Sequence, residues 1–580
     1  MSSKRKVFKD YHRDQLMLLP PSLDELISEK HPVRLVNSVI DRINIEVLES
    51  KYQGGGSSSY HPGMLLKVLV YGYLTNIYSS RKLESALKEN IHFMWISGMS
   101  KPDHNTLARF RSERLKDDLK VIFAQVVQLL VEEGLVSIKE LYTDGTKIEA
   151  NANRYSFVWG KSIKTNKERI AAQLKELWDY TQKLAEEELK DTTEVDFKAI
   201  DAEKLEETVS KIDKALSGKQ VSKKVKQKLN YAKKNWPGKL REYEHKQAIL
   251  QGRNSYSKTD EDATFMRMKD DHMLNGQLKP AYNWQISTST QFIINTTLHQ
   301  TTTDTQTLKS HLKQFEDLYK TKPEAICADA GYGSEENYKH LEEENIDAYV
   351  KYNYFHKERS KKWQEDAFRA DNLHYNPESD TLYCPMGQAM NKIGEQTRKT
   401  KTGFEQTYSL YQAKNCHGCP LRSQCHKASG NRIVQLNHNL RKLKKRAKEN
   451  LLSEEGLRHR SNRPADVEAT FGNIKHNKGF KRFSLRGIKK VEIETLLVSI
   501  AHNINKMSNL KVAWALNSTL HNDQHQNRKY KLLNPKPIKK TDSVSSETAS
   551  QPKFYSISSS LTSKPLSSDL FLWCCSWFWM

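Results

Sequence analysis

The stretch Lys139–Asn153, KELYTDGTKIEANAN, is where the chain changes character. A short strand-like run leads into Asp144, Gly145 follows at once, and a mixed α/β core begins. Upstream the spacing is helical: Met64, Leu65, Val68, Leu69, Tyr71 and Leu74 recur at three- and four-residue steps, the pattern breaks near Ser79–Ser80, and Leu83 and Leu87 mark a second short helix. After KPDHN, where Asp103 or Asn105 can cap, a third helix turns Leu107 and Phe110 inward and sets Arg109, Arg111 and Arg114 on its exposed side. Short helices ending in a basic one suit a helix-turn-helix over residues 1–135; an ordinary bundle with a solvated face fits the pattern equally.

Downstream, the core is interrupted almost at once. Ile170, Leu174, Leu177, Thr181 and Leu184, then Leu205, Val209, Ile212 and Leu216, step by four and three, which predicts an antiparallel helical hairpin inserted over about 160–250. The core resumes at YNWQISTSTQFIINTTLHQ, two strands by alternation; TDTQTLKSHLKQFEDLY follows as a capped helix, and KPEAICADAGYGSEENYKHL as buried strand, turn and helix. IDAYVKYNY gives the next strand. That order suits a ribonuclease H-like sheet. The strand Ala325–Ala328 delivers Asp329 at its end, just before Gly331 and Gly333, where a loop leaves the carboxylate accessible. Cys327, on the same strand, reads as a buried thiol without a ligand role.

Asp144 and Asp329 both sit where adjacent parallel strands would bring them together, and the helix ADVEATFGNIKHN (465–477) offers a third carboxylate, Glu468. Lys475 stands seven residues on, two α-helical turns along the same face, while Val467, Phe471 and Ile474 face the core. Three carboxylates can hold a pair of Mg²⁺ or Mn²⁺ ions, which activate an attacking oxygen and stabilise a leaving one in phosphodiester chemistry. Each acid alone is more often a cap or a solvated residue; the combination carries the inference.

Composition agrees with a polyanionic partner. Lys and Arg number 93 against 70 Asp and Glu, a formal net charge of +23, and each cation that meets a phosphate releases counterions. RKLKKR (441–446) and Lys481, Arg482 and Arg486 add charge beside Glu468, while Phe480 and Phe483 read as core. No apolar run reaches the length of a signal peptide or a membrane span, so a cytoplasmic protein is expected. Seven cysteines are too few for a disulfide scaffold. Four of them, Cys384, Cys416, Cys419 and Cys425, fall in a window over about 375–430 and suit a closed, structural zinc site in a zinc-ribbon-like insert, with His417 or His426 as alternative donors. From residue 508 to 580 the chain reads as a disordered, basic and Ser-rich tail, ending in FLWCCSWFWM, which is too short to span a bilayer.

At these residues the chain resembles the transposases of bacterial insertion sequences, specifically the insertion-sequence eleven-eighty-two group of the DDE superfamily, related to the insertion-sequence four/five superfamily. The resemblance covers roughly residues 10–507 and is most specific in YTDGTKIEANAN, ADAGYGSEENY and RPADVEATFGNIKHNKGFKRFSLRGIKKVEIETLLVSIAHNINK. It implies a ribonuclease H-like catalytic core over 136–507, a helical DNA-binding domain before it, Asp144, Asp329 and Glu468 as Mg²⁺ or Mn²⁺ ligands, and Lys475 and Arg463 as phosphate contacts. Relatives place a Tyr and an Arg at fixed positions before this Glu; here Pro464 stands four residues before it and Arg463 five. The implied activity is binding of terminal inverted repeats, DNA cleavage and strand transfer, by at least a dimer on paired ends, at the bacterial nucleoid. A metal-dependent nuclease without strand transfer, and an inactive DNA-binding remnant, are the rival readings.

Overall fold

The computed structural model describes residues 21–52, 59–185, 196–197, 200–268 and 276–510. The expected tail lies, beyond residue 510, outside the described residues.

A six-stranded sheet is built around β1 (Glu140–Glu149), which runs on through Asp144 rather than ending there. After a small antiparallel pair, β2 (Phe157–Trp159) and β3 (Ser255–Ser257), the sheet continues with β4 (Thr264–Arg267), β5 (Leu278–Ser289), β6 (Phe292–His299), β7 (Ala325–Ala328) and β8 (Asp347–Val350). The order is β6–β5–β1–β7–β8, with β4 sharing the outer edge of β5. β5 and β6 are antiparallel to their neighbours, whereas β7 and β8 run parallel to β1. This topology is compatible with a ribonuclease H-like core. β7 is buried along its whole length, as a parallel strand covered on both faces must be.

The two-residue turn between β5 and β6 puts Thr290 and Gln291 at φ 50° and 65°. Positive φ at both positions matches the twist of the strands, but neither residue is Gly, and the conformation is held by outside partners. The Gln291 amide donates to Asp466 Oδ1 (2.9 Å), and its carbonyl accepts from His502 Nε2 (2.9 Å) and Thr470 Oγ1 (3.3 Å). The helical segment bearing Glu468 is thereby fastened to the end of the sheet.

Upstream of β1, helices Pro32–Arg42, Pro62–Leu74, Ser80–Glu89, Ile91–Ile96, His104–Arg109 and Leu119–Glu132 form a bundle. Asp103 caps the His104–Arg109 helix, accepting from Thr106 N at 2.9 Å. The bundle and the sheet share one hydrophobic core. The helix Ile488–Asn509 makes that junction, buried on every face, with Asn503 bonded to both Ile293 N and Ile293 O of β6 and Glu494 accepting from Tyr73 of the bundle. Among the described residues no helix is long and apolar enough to cross a membrane.

Two parts carry cores of their own. Among the described residues between β2 and β3 stand three helices, Gly160–Leu184, Ala202–Ala215 and Lys223–Leu250, packed through Leu174, Trp178, Leu205, Ile212, Trp236 and Leu240. The expected hairpin is thus completed by a third helix, whose Lys-rich sequence and internal Pro237 hide its apolar stripe. Beyond β8, β9 (Tyr375–Asn376), β10 (Thr381–Tyr383), β11 (Ala389–Lys399), β12 (Glu405–Ala413) and β13 (Ile433–Leu436) form an antiparallel meander around Leu382, Met390 and Tyr411.

Candidate active site

Parallel pairing of β1 with β7 sets Thr143 opposite Ala328, so the next residues on the two strands, Asp144 and Asp329, are neighbours at one end of the sheet. Asp329 is oriented by its own loop, its Oδ1 accepting from Gly331 N at 2.8 Å.

Glu468 arrives by an irregular route. The helix Glu454–Arg463 runs directly into a π-helical turn, Pro464–Glu468, then one α-turn, Ala469–Gly472, and a second π-turn, Asn473–Asn477. Pro464 has no N–H for the carbonyl one turn back and its ring crowds that carbonyl, so the helix widens. In a regular α-helix five residues carry a side chain ~140° around the axis. A π-turn instead stacks i over i+5, and Arg463 lands against Glu468, Nη1 to Oε1 at 2.6 Å. Its other nitrogen, Nη2, lies 3.2 Å from Asp144 Oδ1. The same widening slows the winding between Glu468 and Lys475, so their seven-residue step no longer closes on two α-turns.

Arg463 is therefore the centre of the cluster. It is 4% exposed, and its Nε is buried without a hydrogen-bond partner. Burial opposes its charge, but Asp144, Asp329 and Glu468 outweigh burial and raise its pKa. Asp144 is buried, while the Glu468 side chain is 51% exposed and forms the solvent side of the group. Asp144 and Glu468, paired with Arg463, and the neighbouring Asp329 are an oxygen donor set that suits Mg²⁺ or Mn²⁺. Among the described residues the trio whose donor atoms all lie within 4.8 Å is a different one, Glu140, Glu455 and His459. There Arg458 bonds to both glutamates.

A fourth carboxylate, Asp304, belongs to the same neighbourhood. The fully buried Tyr332 has its pKa pushed well above the ordinary value, by burial first and then by the charges of Asp304, Asp144 and Asp329. Sequence reading took the TDTQ segment only as a helix start, but neither the Asp304–Gln306 turn nor the helix Leu308–Tyr319 has a side-chain cap.

The basic residues fall into two groups. Arg109, Lys481, Arg482 and Arg486 are exposed and Lys475 is half-buried. The segment 479–486 is seated on the far end of β1, with Phe483 N bonded to Glu149 O, Arg482 Nε to Ala150 O and Arg486 Nε to Asn151 O. Phe480 and Phe483 are core residues. Arg111, expected on a solvent face, is instead buried, its Nη1 donating to Tyr78 O (2.7 Å) and Tyr73 Oη (3.2 Å); the π-turn Phe110–Arg114 rotates it inward. It fixes the bundle and is not presented to a partner.

Cys384, Cys416, Cys419 and Cys425 line one cavity of ≈320 Å³ together with His417, His426 and Arg432. Arg432 donates from Nη1 to Cys425 Sγ (3.0 Å) and from its backbone N to Cys416 Sγ (3.4 Å). His426 Nδ1 is buried without a partner. The donor set suits zinc, although no three of the sulfurs lie within 4.8 Å of one another. Cys327 is buried on β7.

No curated protein and no solved structure matches the chain. Residues 21–113 match the family model described as a transposase domain (DUF772), and residues 383–508, which include Arg463, Glu468 and Lys475, match the model of a transposase DDE domain. Asp144 and Asp329 lie outside both matched stretches. By these two matches the chain carries a DDE transposase domain, which supports a transposase function.

Proposed function

We propose that this protein is an insertion-sequence transposase of the eleven-eighty-two group that cleaves DNA at its element's ends and joins them to a target, with Asp144, Asp329 and Glu468 as the catalytic carboxylates. The observation that carries the reading is that Arg463, buried, pairs with Asp144 and Glu468, while strand pairing brings Asp329 beside Asp144.

Divalent cations held by the three carboxylates would supply activation of the attacking oxygen and stabilisation of the leaving one. Asp144 and Asp329 are fixed by strand pairing, and Asp329 also by Gly331 N, so their spacing is set before substrate arrives. Arg463 holds Asp144 and Glu468 through its two terminal nitrogens, and Lys475, half-buried on the same helical segment, supplies the phosphate contact. In the first step water adds to phosphorus at the element end, the P–O3′ bond breaks, and the departing O3′ takes a proton. In the second, that 3′-hydroxyl attacks a target phosphodiester, forming a new P–O3′ bond and releasing a target 3′-hydroxyl. Arg109, Lys481, Arg482 and Arg486 track the duplex backbone, and two copies act on paired ends. Structural zinc on Cys384, Cys416, Cys419 and Cys425 belongs to this reading, supported by their shared cavity; elemental analysis of wild type against Cys416→Ser tests it.

The deciding experiment incubates purified protein and Mg²⁺ with a labelled duplex carrying the DNA that flanks the coding sequence. Joined products that vanish in Asp329→Asn support the transposase. Cleavage without joining selects a nuclease, and end binding without cleavage by either protein selects an inactive remnant.

A further inference from the structure

We propose that Asp304 is a fourth carboxylate of this centre and takes part in binding its divalent cations; the inference rests on the metal-site reading of Asp144, Asp329 and Glu468. Asp304 opens a short turn after β6, and there its side chain would ordinarily cap the following helix. It does not: only its main-chain carbonyl serves the turn, accepting from Thr307 N and Oγ1. The carboxylate is turned toward the sheet instead, its Oδ1 accepting from Asn283 Nδ2 (2.7 Å) and Gln285 Nε2 (2.9 Å) on β5.

The polarity of that arrangement is fixed from the interior. Tyr332, fully buried and held protonated, donates its hydroxyl to Gln285 Oε1. A donated proton on Oε1 obliges the amide to present Nε2 to Asp304, so the network orients Asp304 as an ionised acceptor through one oxygen. The second oxygen, Oδ2, faces Gly331 beside Asp329 Oδ1.

Two glycines make this approach feasible. A Cβ at Gly145 would sit 2.2 Å from Gln285 Nε2 and 2.8 Å from Asp304 Oδ1; a Cβ at Gly331 would sit 3.0 Å from Asp329 Oδ1 and 3.4 Å from Asp304 Oδ2. These are the glycines beside the two strand aspartates in YTDGTK and CADAGYG. Their missing side chains are the space through which Asp304 reaches the centre. A second observation belongs to the same cluster: Arg463, 4% exposed and ion-paired with Asp144 and Glu468, leaves its Nε a buried donor with no acceptor of its own.

The test measures Mn²⁺ binding to the full-length protein without DNA, by electron paramagnetic resonance titration, for wild type, Asp304→Asn and Asp329→Asn. The Asn side chain keeps the acceptor for Asn283 and Gln285, so the metal-free thermal midpoint of Asp304→Asn should be no lower than wild type. Its Mn²⁺ affinity should fall about 10–100-fold, as for loss of a metal-site residue. Wild-type affinity in Asp304→Asn alongside a loss in Asp329→Asn overturns this proposal and spares the three-carboxylate reading; no loss in either variant overturns both. As an independent arm, Asp304→Cys with Cd²⁺ should give a sulfur-to-cadmium charge-transfer band in the ultraviolet beyond the one that the native cysteines give in the wild type, and a spectrum no stronger than wild type at equal bound Cd²⁺ overturns the assignment of Asp304.

Discussion

Replacing Arg463 by Met removes the guanidinium while keeping most of the side chain's length, and the structure sets the scale of the effect. The pair with Asp144 is buried, at 5% and 10% side-chain exposure, and removing one partner of such a pair costs about 3–5 kcal/mol because the other charge is left uncompensated. The pair with Glu468 adds little, since that carboxylate is half exposed and screened, and is worth at most about 1 kcal/mol. Urea unfolding in EDTA should therefore show Arg463→Met destabilised by about 3–5 kcal/mol. A divalent cation in the same cluster takes over the compensation, so Mn²⁺ at a hundred times its dissociation constant should return about 2.7 kcal/mol. The result that would refute the reasoning is an Arg463→Met variant that gains nothing from Mn²⁺ over its own stability in EDTA, or a loss below about 1 kcal/mol in EDTA.

Gly145→Ala forces a Cβ to within 2.2 Å of Gln285 Nε2 and should destabilise by about 1–3 kcal/mol in urea; unchanged stability would mean the cradle around Asp304 is slack. Asp466→Ala strips Gln291 N of its acceptor in a turn already at positive φ, and should cost about 1–3 kcal/mol, checked by the same assay. Burial lowers the pKa of His311 to about 3 and of His502 to about 4, from 6.5. The unfolded chain takes up the protons these folded imidazoles refuse, so their stabilisation is complete above pH 6.5 and drains away as pH falls toward 4. Between pH 7 and pH 5 the two together should account for a loss of up to about 4 kcal/mol, removed in part by His311→Gln; a flat profile would contradict it.

Much of the sheet was legible in the sequence because its signals are local. Alternation across 282–300 and the buried run before Asp329 each specify a strand without reference to anything distant, and parallel pairing then brings Asp144 and Asp329 together. What escaped depends on departures from regular geometry. Arg463 was expected only as a phosphate contact; its pairing with Glu468 rests on the π-turn, since a five-residue step misses in an α-helix, and Pro464 was the visible sign that this helix is not regular. Arg111 was misplaced for the same reason, by the π-turn at Phe110–Arg114. Asp304 was hidden because a carboxylate before a helix has a commonplace explanation, and the glycines that admit it lie more than a hundred residues away for one and past a helix and β7 for the other.

The helix Ile488–Asn509 has a consequence for when the fold can close. It contributes core to the first helices of the chain and to β6 at once, so neither surface is covered until the ribosome has passed it. At ordinary rates of synthesis that interval is roughly half a minute to two minutes, during which both acidic strands are already made. A chain that stops short of residue 488 thus holds Asp144 and Asp329 but lacks the helix that joins its bundle to its sheet.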